Sequence, residues 1–508
     1  MKLSASELRG ILLVIAGVFA LGYYYSWWFQ NGLPQSGWLI AGLIVALFYG
    51  VIQLLFSWTI YLATHHRSQR LPQSVEDLTI DVFVTACGEE YELIQRALTA
   101  ACAMRGEHRT WLLDDGHDPA LADLARRLGA GYLTRPDRKH AKAGNINAAL
   151  ARTDGDIIVI FDIDHAPVPS FLEATIGYFS DPGVGFIQVM LTFANGEDGW
   201  IAQAADESSH DFYNSISTGA DALLSATLVG TNALIRRSAL DSIGGYQPGL
   251  AEDLETSIAL HAAGWQSLYV AEPLAPGYAP PDLMAWFTQQ FKWARGVFET
   301  FITRYPFYFS ALTVQQRLVY AVRMTYYWFG LVVCIHLFAA LFVLFSNNPQ
   351  VMAGFEGYLL HLLPVASMVL LIRLLALRRW RHASIHSNLQ WKPVILVFAT
   401  WPIYTLAWLM ALLRVPLRFR PTPKTRGGTL HPAWLVTQIS CTLLLISGLI
   451  YHFAMPQEHY CLLSLGFAFA LIASHLLFFW QCWIGETSRT KYRPPTTPSV
   501  VGSDPSLN

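Results

Sequence analysis

The sequence has few charged residues, and this shortage excludes an ordinary soluble enzyme. Only 14% of its 508 residues are Asp, Glu, Lys or Arg, whereas 53% are hydrophobic. The mean hydropathy is +0.34. Soluble domains usually carry about 25% charged residues. The composition therefore indicates a protein with a large membrane-embedded part.

A strong excess of either charge is also missing. The chain has 34 Lys and Arg residues against 36 Asp and Glu residues, and its formal net charge is -2. Binding to a nucleic-acid backbone requires a large basic surface that releases counterions. We therefore expect no nucleic-acid partner.

Cysteine motifs and glycine-rich phosphate loops are absent as well. The six cysteines show no CxxC spacing, which argues against a disulfide framework and a zinc site. The chain has neither GxGxxG nor a Walker loop. Any phosphate group is therefore expected to be held by a metal ion and by cationic side chains.

Long apolar runs are what the sequence does contain. A membrane span needs roughly 20 mostly apolar residues. Six runs meet this requirement: about 11–29, 38–63, 318–345, 356–376, 433–454 and 461–483. The first run could be a signal peptide. Its aromatic end from Tyr23 to Trp28, with no small-residue cleavage site, favours a membrane anchor.

A seventh apolar run, 394–413, decides whether the number of membrane spans is even or odd. Basic residues flank it on both sides, including Arg378, Arg381, Arg418 and Lys424. Because positive residues mark cytoplasmic loops, both ends of this run are expected in the cytoplasm. We therefore predict an interfacial helix over 388–414, and cytoplasmic positions for both termini and for the central polar block.

The central block has the pattern of an α/β domain. Short apolar runs at 82–84, 111–113 and 156–161 are each followed by polar residues, and the first leads into an amphipathic helix pattern. Strands that alternate with helices favour an open, mostly parallel sheet with its ligands at the carboxyl ends of the strands. We expect the carboxylates that end these strands to converge.

Two acidic motifs end predicted strands. Asp162 and Asp164 have the spacing that holds Mg²⁺ or Mn²⁺ against a nucleotide diphosphate, although a solvated turn would also explain them. Asp114 opens a second acidic turn. The basic segment 135–145, which includes Lys142, could meet the diphosphate or could be a solvated loop and helix start.

Two later segments have both a catalytic and a structural interpretation. Asp253, beside Glu252, opens a predicted helix, where it could be a general base or a simple helix cap. The segment 289–296 could stack Trp293 on a sugar and place Lys292 beside the leaving diphosphate. It could equally be an interfacial anchor.

Together these motifs resemble the cellulose synthase-like branch of the family 2 inverting glycosyltransferases. The motifs that carry the resemblance, in chain order, are Asp114-Asp115-Gly116, the HAKAGN stretch 140–145, Asp162-Ile163-Asp164-His165, Ala251-Glu252-Asp253 for TED, and Gln289-Gln290-Phe291-Lys292-Trp293 for QxxRW. Their order between two apolar blocks covers nearly the whole chain.

The resemblance implies a role for each matching residue. It implies that Asp114 contacts uridine, that Asp162 and Asp164 bind the metal diphosphate, and that Asp253 is the base. The further residues that it implicates in substrate binding are Thr85, Glu89, Lys142, Gly230, Thr231, Glu252, Gln289, Lys292, Trp293, Arg295, Thr422 and Lys424. Gly230 and Thr231 match an acceptor-contacting segment, and Thr422 and Lys424 match a gating loop.

The chain departs from the family pattern at three places. Residues 85–89 read TACGE instead of PTYNE, and Val229 replaces a cysteine. Lys292 replaces an arginine, which keeps the charge but loses the planar fork that grips phosphate oxygens. These differences leave the sugar, the linkage and the product length open.

The resemblance implies a membrane α-helical protein with a cytoplasmic GT-A-like α/β domain, placed in the bacterial inner membrane. The expected parts are two membrane helices over 1–70, the transferase domain over 75–310, four membrane helices over 311–485 with a gating-loop-like segment at 415–430, and a disordered tail over 486–508.

The leading functional hypothesis is a processive β-glucan synthase that uses UDP-glucose with Mg²⁺ or Mn²⁺, extends a growing glycan, contacts membrane lipids and works with accessory export subunits. A glycan path could be lined by Tyr320, Arg323, Tyr326, Tyr327 and Trp328. Alternatively, Arg323 could snorkel to the interface. Three other functions stay open: a synthase that uses UDP-N-acetylglucosamine, a non-processive glycolipid transferase, and a scaffold with an inactive transferase domain.

Overall fold

The computed structural model describes residues 5–31, 36–64, 78–346, 355–379, 391–417, 431–455 and 462–487. Thr422 and Lys424, which the resemblance assigns to a gating loop, lie outside the described residues. The predicted tail over 486–508 also lies outside them beyond residue 487.

A mixed sheet forms the centre of the polar block. Its seven strands are β1 Ile80–Ala86, β2 Arg109–Asp114, β3 Gly131–Leu133, β4 Ile157–Asp162, β5 Val184–Val189, β6 Ala233–Arg236 and β7 Gln266–Val270. They are ordered β3-β2-β1-β4-β6-β5-β7. Only β6 pairs antiparallel with its neighbours. The predicted strands at 82–84, 111–113 and 156–161 are confirmed as β1, β2 and β4.

Helices cover both faces of this sheet. They are α3 Tyr91–Cys102, α4 Pro119–Arg127, α5 Ala141–Leu150, α6 Phe171–Thr175, α9 Arg237–Ser242 and α10 Glu252–Ala262. Side chains alternate along each strand, so that Val82 and Val84 enter one apolar layer while Phe83 enters the other. The near-continuous apolar runs of β1 and β4 reflect this burial on both faces.

Among the residues that the structure describes, six helical segments are long and apolar enough to cross a membrane. They span Glu7–Asn31, Gly37–Ala63, Val314–Phe345, Glu356–Ala376, Val436–Ala454 and Ser464–Cys482. The helices that carry them are α1 Ala5–Asn31, α2 Gly37–Ala63, α12 Val314–Met324, α13 Phe329–Phe345, α14 Phe355–Arg379, α17 Val436–Ala454 and α18 Leu462–Thr487. Each predicted apolar run corresponds to one of these segments.

The third segment is not one continuous helix. α12 ends at Met324, a 3₁₀ turn covers Tyr326–Trp328, and α13 begins at Phe329. At 1.5 Å per residue its 32 residues would exceed a hydrocarbon core of about 30 Å. The sequence predicts one continuous span over 318–345, whereas the structure divides it at this break.

A bent helix pair occupies the seventh apolar run. α15 covers Trp391–Ala399 and α16 covers Trp401–Leu412, and the two axes differ by 43°. Pro402 enters α16 in its first turn, and Thr400 lies between the helices. The sequence predicts one interfacial helix here, whereas the structure has a break. The pair adds a seventh candidate span if both helices are counted as one.

Three further helices join the sheet domain to the apolar helices. α7 covers Trp200–Asp211, α8 covers Ser217–Ala222, and a π-helical turn at Phe212–Ile216 connects them. α11 runs over Leu283–Tyr308 and packs along α16. Gly219 of α8 touches α2 so closely that a Cβ there would lie 2.6 Å from Ile60 Cγ2.

Candidate active site

The carboxyl ends of β1, β2 and β4 and the first residues of β6 lie at one edge of the sheet. Thr85 of β1 pairs in register with Asp162 of β4, and Ala86 pairs with Asp114 of β2. Because β6 runs antiparallel to β4, its first residues lie at the same edge. The loop that precedes β6 carries Gly230 and Thr231. The expected convergence of Asp114 and Asp162 at one edge is confirmed.

Lys142 links two parts of this edge. Its Nζ donates a hydrogen bond to Asp162 Oδ1 and another, of 2.5 Å, to the carbonyl oxygen of Gly230. The HAKAGN stretch supplies this lysine from the first turn of α5. Burial lowers the pKa of Lys142, but the neighbouring carboxylates, Asp162 foremost, outweigh burial and raise it overall. The lysine is therefore charged near neutral pH.

Asp162 is oriented by its backbone and stays accessible. Its N–H donates to Thr231 Oγ1 at 3.0 Å, and Thr85 Oγ1 lies 3.4 Å from Asp162 Oδ1. The side chain of Asp162 is 37% exposed. Thr231 therefore bonds to the backbone of β4 at Asp162. The Asp162 carboxylate remains partly accessible to solvent at this edge of the sheet.

Asp164 lies deeper. Its side chain is 1% exposed, and its Oδ1 lies 3.5 Å from Nδ1 of the buried His165. Gly277 makes room for this histidine, since a Cβ there would lie 2.4 Å from His165 Nε2.

The donor set at this position fits a divalent cation held with a diphosphate. Asp162 and Asp164 offer hard carboxylate oxygens, the ligand type that Mg²⁺ and Mn²⁺ prefer. Among the residues that the structure describes, no three His, Cys, Asp or Glu side chains form a metal cage. Mg²⁺ is usually bound by one or two carboxylates plus substrate phosphates. The two aspartates match that pattern.

Asp253 and Lys142 both lie beside Gly230. Gly230 has φ +90°, and a Cβ there would lie 3.4 Å from Asp253 Oδ2 and 3.8 Å from Lys142 Nζ. Asp253 Oδ1 accepts a hydrogen bond from Leu254 N at 2.7 Å. This bond satisfies a first-turn amide, but Asp253 is not the helix cap, because α10 begins at Glu252 and Ala251 occupies the N-cap position. The other oxygen lies on the side of Gly230.

The environment of Asp253 suits a base. Burial, followed by the charge of Glu252, raises the pKa of Asp253 to about 7, and Lys142 and Lys292 hold it from rising further. A general base works best when its pKa lies near the working pH. The site therefore contains a carboxyl group that exchanges a proton near neutrality.

Asp114 and Glu89 accept hydrogen bonds from backbone N–H groups of the loops that follow β2 and β1. Asp114 is fully buried and accepts hydrogen bonds from Gly116 N at 2.6 Å, from Asp118 N at 2.8 Å and from the Tyr132 hydroxyl at 2.8 Å. Glu89 Oε2 accepts from Cys87 N at 2.6 Å, and burial raises the pKa of Glu89. Both side chains therefore shape the loops where the resemblance expects uridine.

The segment before α5 is held by an ion pair that the sequence does not indicate. Arg135 donates to both carboxylate oxygens of Asp115 at 2.7 Å, and both side chains are buried. Arg135 also donates to the carbonyl oxygens of Lys139 and Ala141. Sequence reasoning placed Arg135 in a phosphate-facing segment, whereas the structure uses it to shape that segment.

Asn147 is a second residue that sequence reasoning missed. Its Nδ2 donates to the carbonyl of Tyr246 and its Oδ1 accepts from Tyr246 N, both at 2.8 Å. Tyr246 lies in the turn that leads to α10. Asn147 lies on α5, a short helix that packs against the sheet. A polar amide at such a position is the sequence feature that could have indicated these hydrogen bonds to Tyr246.

The residues of the QxxRW-like motif lie on α11. Gln289 is buried and Trp293 is 39% exposed. Burial lowers the pKa of Lys292, opposed by the charges of Glu252 and Asp162. Lys292 and Glu252 therefore belong to the same charged cluster as Asp162 and Asp253.

Arg295 contacts a different part of the molecule. It is buried, and it donates to Glu299 Oε2 at 2.7 Å and to the carbonyl oxygen of Val415 at 3.2 Å. Val415 lies just beyond α16. The structure therefore places Arg295 at the junction of α11 and the bent pair.

Arg323 lies between the sheet domain and the apolar helices. Its guanidinium carbon lies 4.8 Å from the centre of the Phe212 ring. Its Nη1 is buried and has no hydrogen-bond partner among the described residues. Tyr213, beside Phe212, is also buried, and its pKa is raised by burial and by the charge of Asp253. The Arg323 guanidinium therefore packs against the π-helical turn that carries Phe212.

Family models match this region. Residues 79–296 match the model described as glycosyltransferase like family 2, and residues 240–415 match the model described as cellulose synthase. The two matches overlap across α10 and most of the first half of α11. They include every described residue that the resemblance assigned to the site.

Curated relatives are bacterial cellulose synthases. The chain is 31% identical over 368 residues to cellulose synthase 1 of Komagataeibacter xylinus, covering 70% of this chain and 24% of that protein. It is 32% identical over 339 residues to the UDP-forming cellulose synthase catalytic subunit of Pseudomonas fluorescens, covering 63% and 46%. The chain thus spans between a quarter and half the length of these relatives.

A solved structure shares the fold. A mannosyltransferase from Pyrobaculum calidifontis, in complex with GDP-Man and Mn²⁺, aligns with a TM-score of 0.54 and 15% identity over 74% of this chain and 100% of its own. The expected GT-A-like fold is confirmed. The chain therefore contains a region that matches the family 2 glycosyltransferase model and overlaps a match to the cellulose synthase model, and it is similar in sequence to bacterial cellulose synthases.

Proposed function

We propose that this chain is a processive β-glucan synthase that transfers glucose from UDP-glucose and moves the product across the inner membrane. The observation that carries the proposal is the position of Asp253, a carboxyl group with a pKa of about 7, beside Gly230, whose carbonyl oxygen accepts a hydrogen bond from Lys142 of the Lys142–Asp162 pair. This arrangement puts a base close to the charged groups that we propose hold the diphosphate.

The proposed reaction is a single displacement. Asp253 removes the proton from a hydroxyl group of the acceptor sugar, whose oxygen then forms a bond to the anomeric carbon of the donor. The bond from that carbon to the diphosphate oxygen breaks, and UDP leaves with the bonding electron pair. Attack opposite the leaving group inverts the anomeric carbon. Holding both reactants in this geometry supplies much of the acceleration.

The charged groups of the site have separate tasks. Lys142 and Lys292 provide positive charge where the diphosphate gains negative charge. Asp162 and Asp164 would hold Mg²⁺ or Mn²⁺, which would neutralise the diphosphate. Thr85, Glu89 and Asp114 lie at the strand ends where we propose that uridine binds. Thr231 holds the backbone of Asp162.

The acceptor is proposed to approach from the apolar helices. Trp293 offers a partly exposed ring for a sugar face, and we propose that the acceptor path continues past Arg323 and Tyr327. The names of the relatives, cellulose synthases of which some are described as UDP-forming, support a UDP-sugar donor and a β-glucan product.

The remaining assignments are proposals as well. They comprise the domain bounds 1–70, 75–310 and 311–485, cytoplasmic termini, lipid contacts, accessory export subunits and a gating role for Thr422 and Lys424. The seven strands of the sheet all lie between residues 80 and 270, which supports a central domain over 75–310. The basic residues around the bent pair support the topology.

The deciding experiment is a transfer assay with detergent-purified protein. Radiolabelled UDP-glucose or UDP-N-acetylglucosamine is supplied with Mg²⁺ or Mn²⁺, and any product is digested with linkage-specific glucanases. A long polymer from UDP-glucose is the expected result, and the glucanase that digests it names the linkage. A short, lipid-extractable product would replace the proposal with a glycolipid transferase, and a polymer from UDP-N-acetylglucosamine would change the donor.

Asp253→Asn tests the base directly. We expect this variant to lose at least about 100-fold in turnover, since general base catalysis contributes about 10²–10⁴-fold. UDP binding, measured by calorimetry, should be retained. Asp123→Asn is the matched control, because Asp123 is an exposed acid of α4. Near-normal turnover of Asp253→Asn would exclude Asp253 as the base.

A further inference from the structure

Three side-chain hydrogen bonds join α11 to the bent helix pair. They run from Trp286 Nε1 to Thr400 Oγ1 at 3.0 Å, from the Tyr404 hydroxyl to Gln290 Oε1 at 2.8 Å, and from Arg295 Nη2 to the Val415 carbonyl at 3.2 Å. The donors and acceptors on α11 are all buried. No motif predicts these contacts, because the partners are more than 100 residues apart in the chain.

The bonds lie on either side of Lys292 and Trp293, which the proposed function assigns to the donor diphosphate and to the acceptor sugar. Gln290 comes two residues before Lys292, and Arg295 comes two residues after Trp293. A helix that is held on both sides of a short segment has little freedom to rotate or slide there. The contacts therefore determine where Lys292 and Trp293 lie relative to Asp162 and Asp253.

The bent pair is itself attached to the membrane helices. Ile403 N bonds to the Thr400 carbonyl, so the Ala399 carbonyl lacks its usual helical donor, and Gln438 Nε2 of α17 donates to it at 3.0 Å. Thr442 of α17 bonds to His475 of α18 at 2.8 Å. These bonds lie in a buried, low-dielectric region, where an unpaired polar group is costly.

We propose that Tyr404 is a positioning residue for the transfer reaction. Its hydroxyl bond to Gln290 connects the membrane helices, through the bent pair, to the segment of α11 that carries Lys292 and Trp293. The proposal rests on the proposed transferase function. It assigns to the bent pair the task of aligning the motif helix, whether or not the pair crosses the bilayer.

Tyr404→Phe tests this role, since it removes only the hydroxyl. We expect kcat to fall about 10-fold, because small misplacements of catalytic groups are costly. The KM for UDP-glucose should stay within about 2-fold, since the loss affects the transition state more than substrate binding. The matched control is Tyr305→Phe, which removes another buried tyrosine bond of α11, the 2.7 Å bond to the Arg317 carbonyl.

A double-mutant cycle separates positioning from general destabilisation. If Gln290 acts through Tyr404, the pair Gln290→Met and Tyr404→Phe should lower kcat no further than the worse single variant. Thermal unfolding midpoints of Tyr404→Phe and Tyr305→Phe should agree. Unchanged kcat in Tyr404→Phe, fully additive losses in the double variant, or an equal kcat loss in Tyr305→Phe would each overturn the proposal.

A measurement without turnover keeps this proposal distinct from the proposed function. Absence of transfer by the wild-type protein would refute the function alone. Spin labels at the exposed Thr303 of α11 and Leu409 of α16, in a variant without its native cysteines, report the distance between the helices. Tyr404→Phe should broaden that distance distribution and Tyr305→Phe should not. An unchanged distribution in Tyr404→Phe would overturn the positioning role.

Discussion

The carboxyl group of Asp253 can act as a base only when it has lost its proton. Its pKa of about 7 is raised above the ordinary value by burial, so the group is protonated over a wider range of acidic pH. We expect kcat/KM to fall by about tenfold per pH unit below neutrality and to level off above it. Initial rates from about pH 5 to about pH 9 measure this acidic limb of the plot of kcat/KM against pH.

Lys292→Met tests the origin of that pKa. Lys292 lowers the pKa of Asp253 through its charge, so removal of the charge should raise the pKa and move the acidic limb to higher pH. The rate at the plateau should also fall, because the proposed function assigns Lys292 to the leaving diphosphate. If the acidic limb of the kcat/KM profile stays at the same pH, Lys292 is too far from Asp253 to influence its pKa.

Gly230 gives a second prediction about a single residue. A methyl group there would lie 3.4 Å from Asp253 Oδ2, on a backbone with φ +90° that L-residues rarely adopt. Gly230→Ala should therefore lower turnover by at least about 10-fold. Gly264→Ala is the matched control, since Gly264 also has φ +90° but has no atoms within 4 Å of the added methyl group. Equal losses would mean that backbone strain alone is responsible.

The segment between β3 and α5 depends on a buried ion pair rather than on regular structure. Asp115→Ala leaves the Arg135 guanidinium without its carboxylate inside the protein, which costs about 3–5 kcal/mol. Asp123→Ala breaks the exposed pair with Arg126 and should cost about 0–1 kcal/mol. Thermal unfolding midpoints compare the two variants. Similar small shifts would show that the buried pair does not stabilise the segment.

Secondary structure could be predicted where a pattern was long and uniform. β1 and β4 are apolar runs that are buried on both faces, and the six apolar segments have 19 to 32 residues, about the length that crosses a bilayer. β6 is only four residues long, and its antiparallel direction depends on its partner strands. The break at 325–328 and the bend at Thr400 each lie inside a run that is apolar on average over the length of a span, so the average hydropathy of the run does not reveal them.

The topology of the whole molecule depends on whether the bent pair crosses the membrane. We expect that it does not, because basic residues flank both of its ends. Alkaline phosphatase inserted at 418–430 should then be inactive, and phosphatase inserted at 456–460 should be active. Reporter fusions in a bacterial host test this. The opposite pattern at both positions would make the pair a seventh span.

The sequence by itself determined the membrane segments, the α/β character of the central block and the identity of the acidic motifs, because each is a local pattern of hydropathy or of residue type. It also indicated that Asp114 and Asp162 meet, since parallel strands end at one sheet edge. The tertiary structure alone decided that Asp253 and Lys142 lie beside the same Gly230, that Arg135 pairs with Asp115, and that Tyr404 bonds to Gln290. These contacts join residues that are distant in the chain, so only packing brings them together.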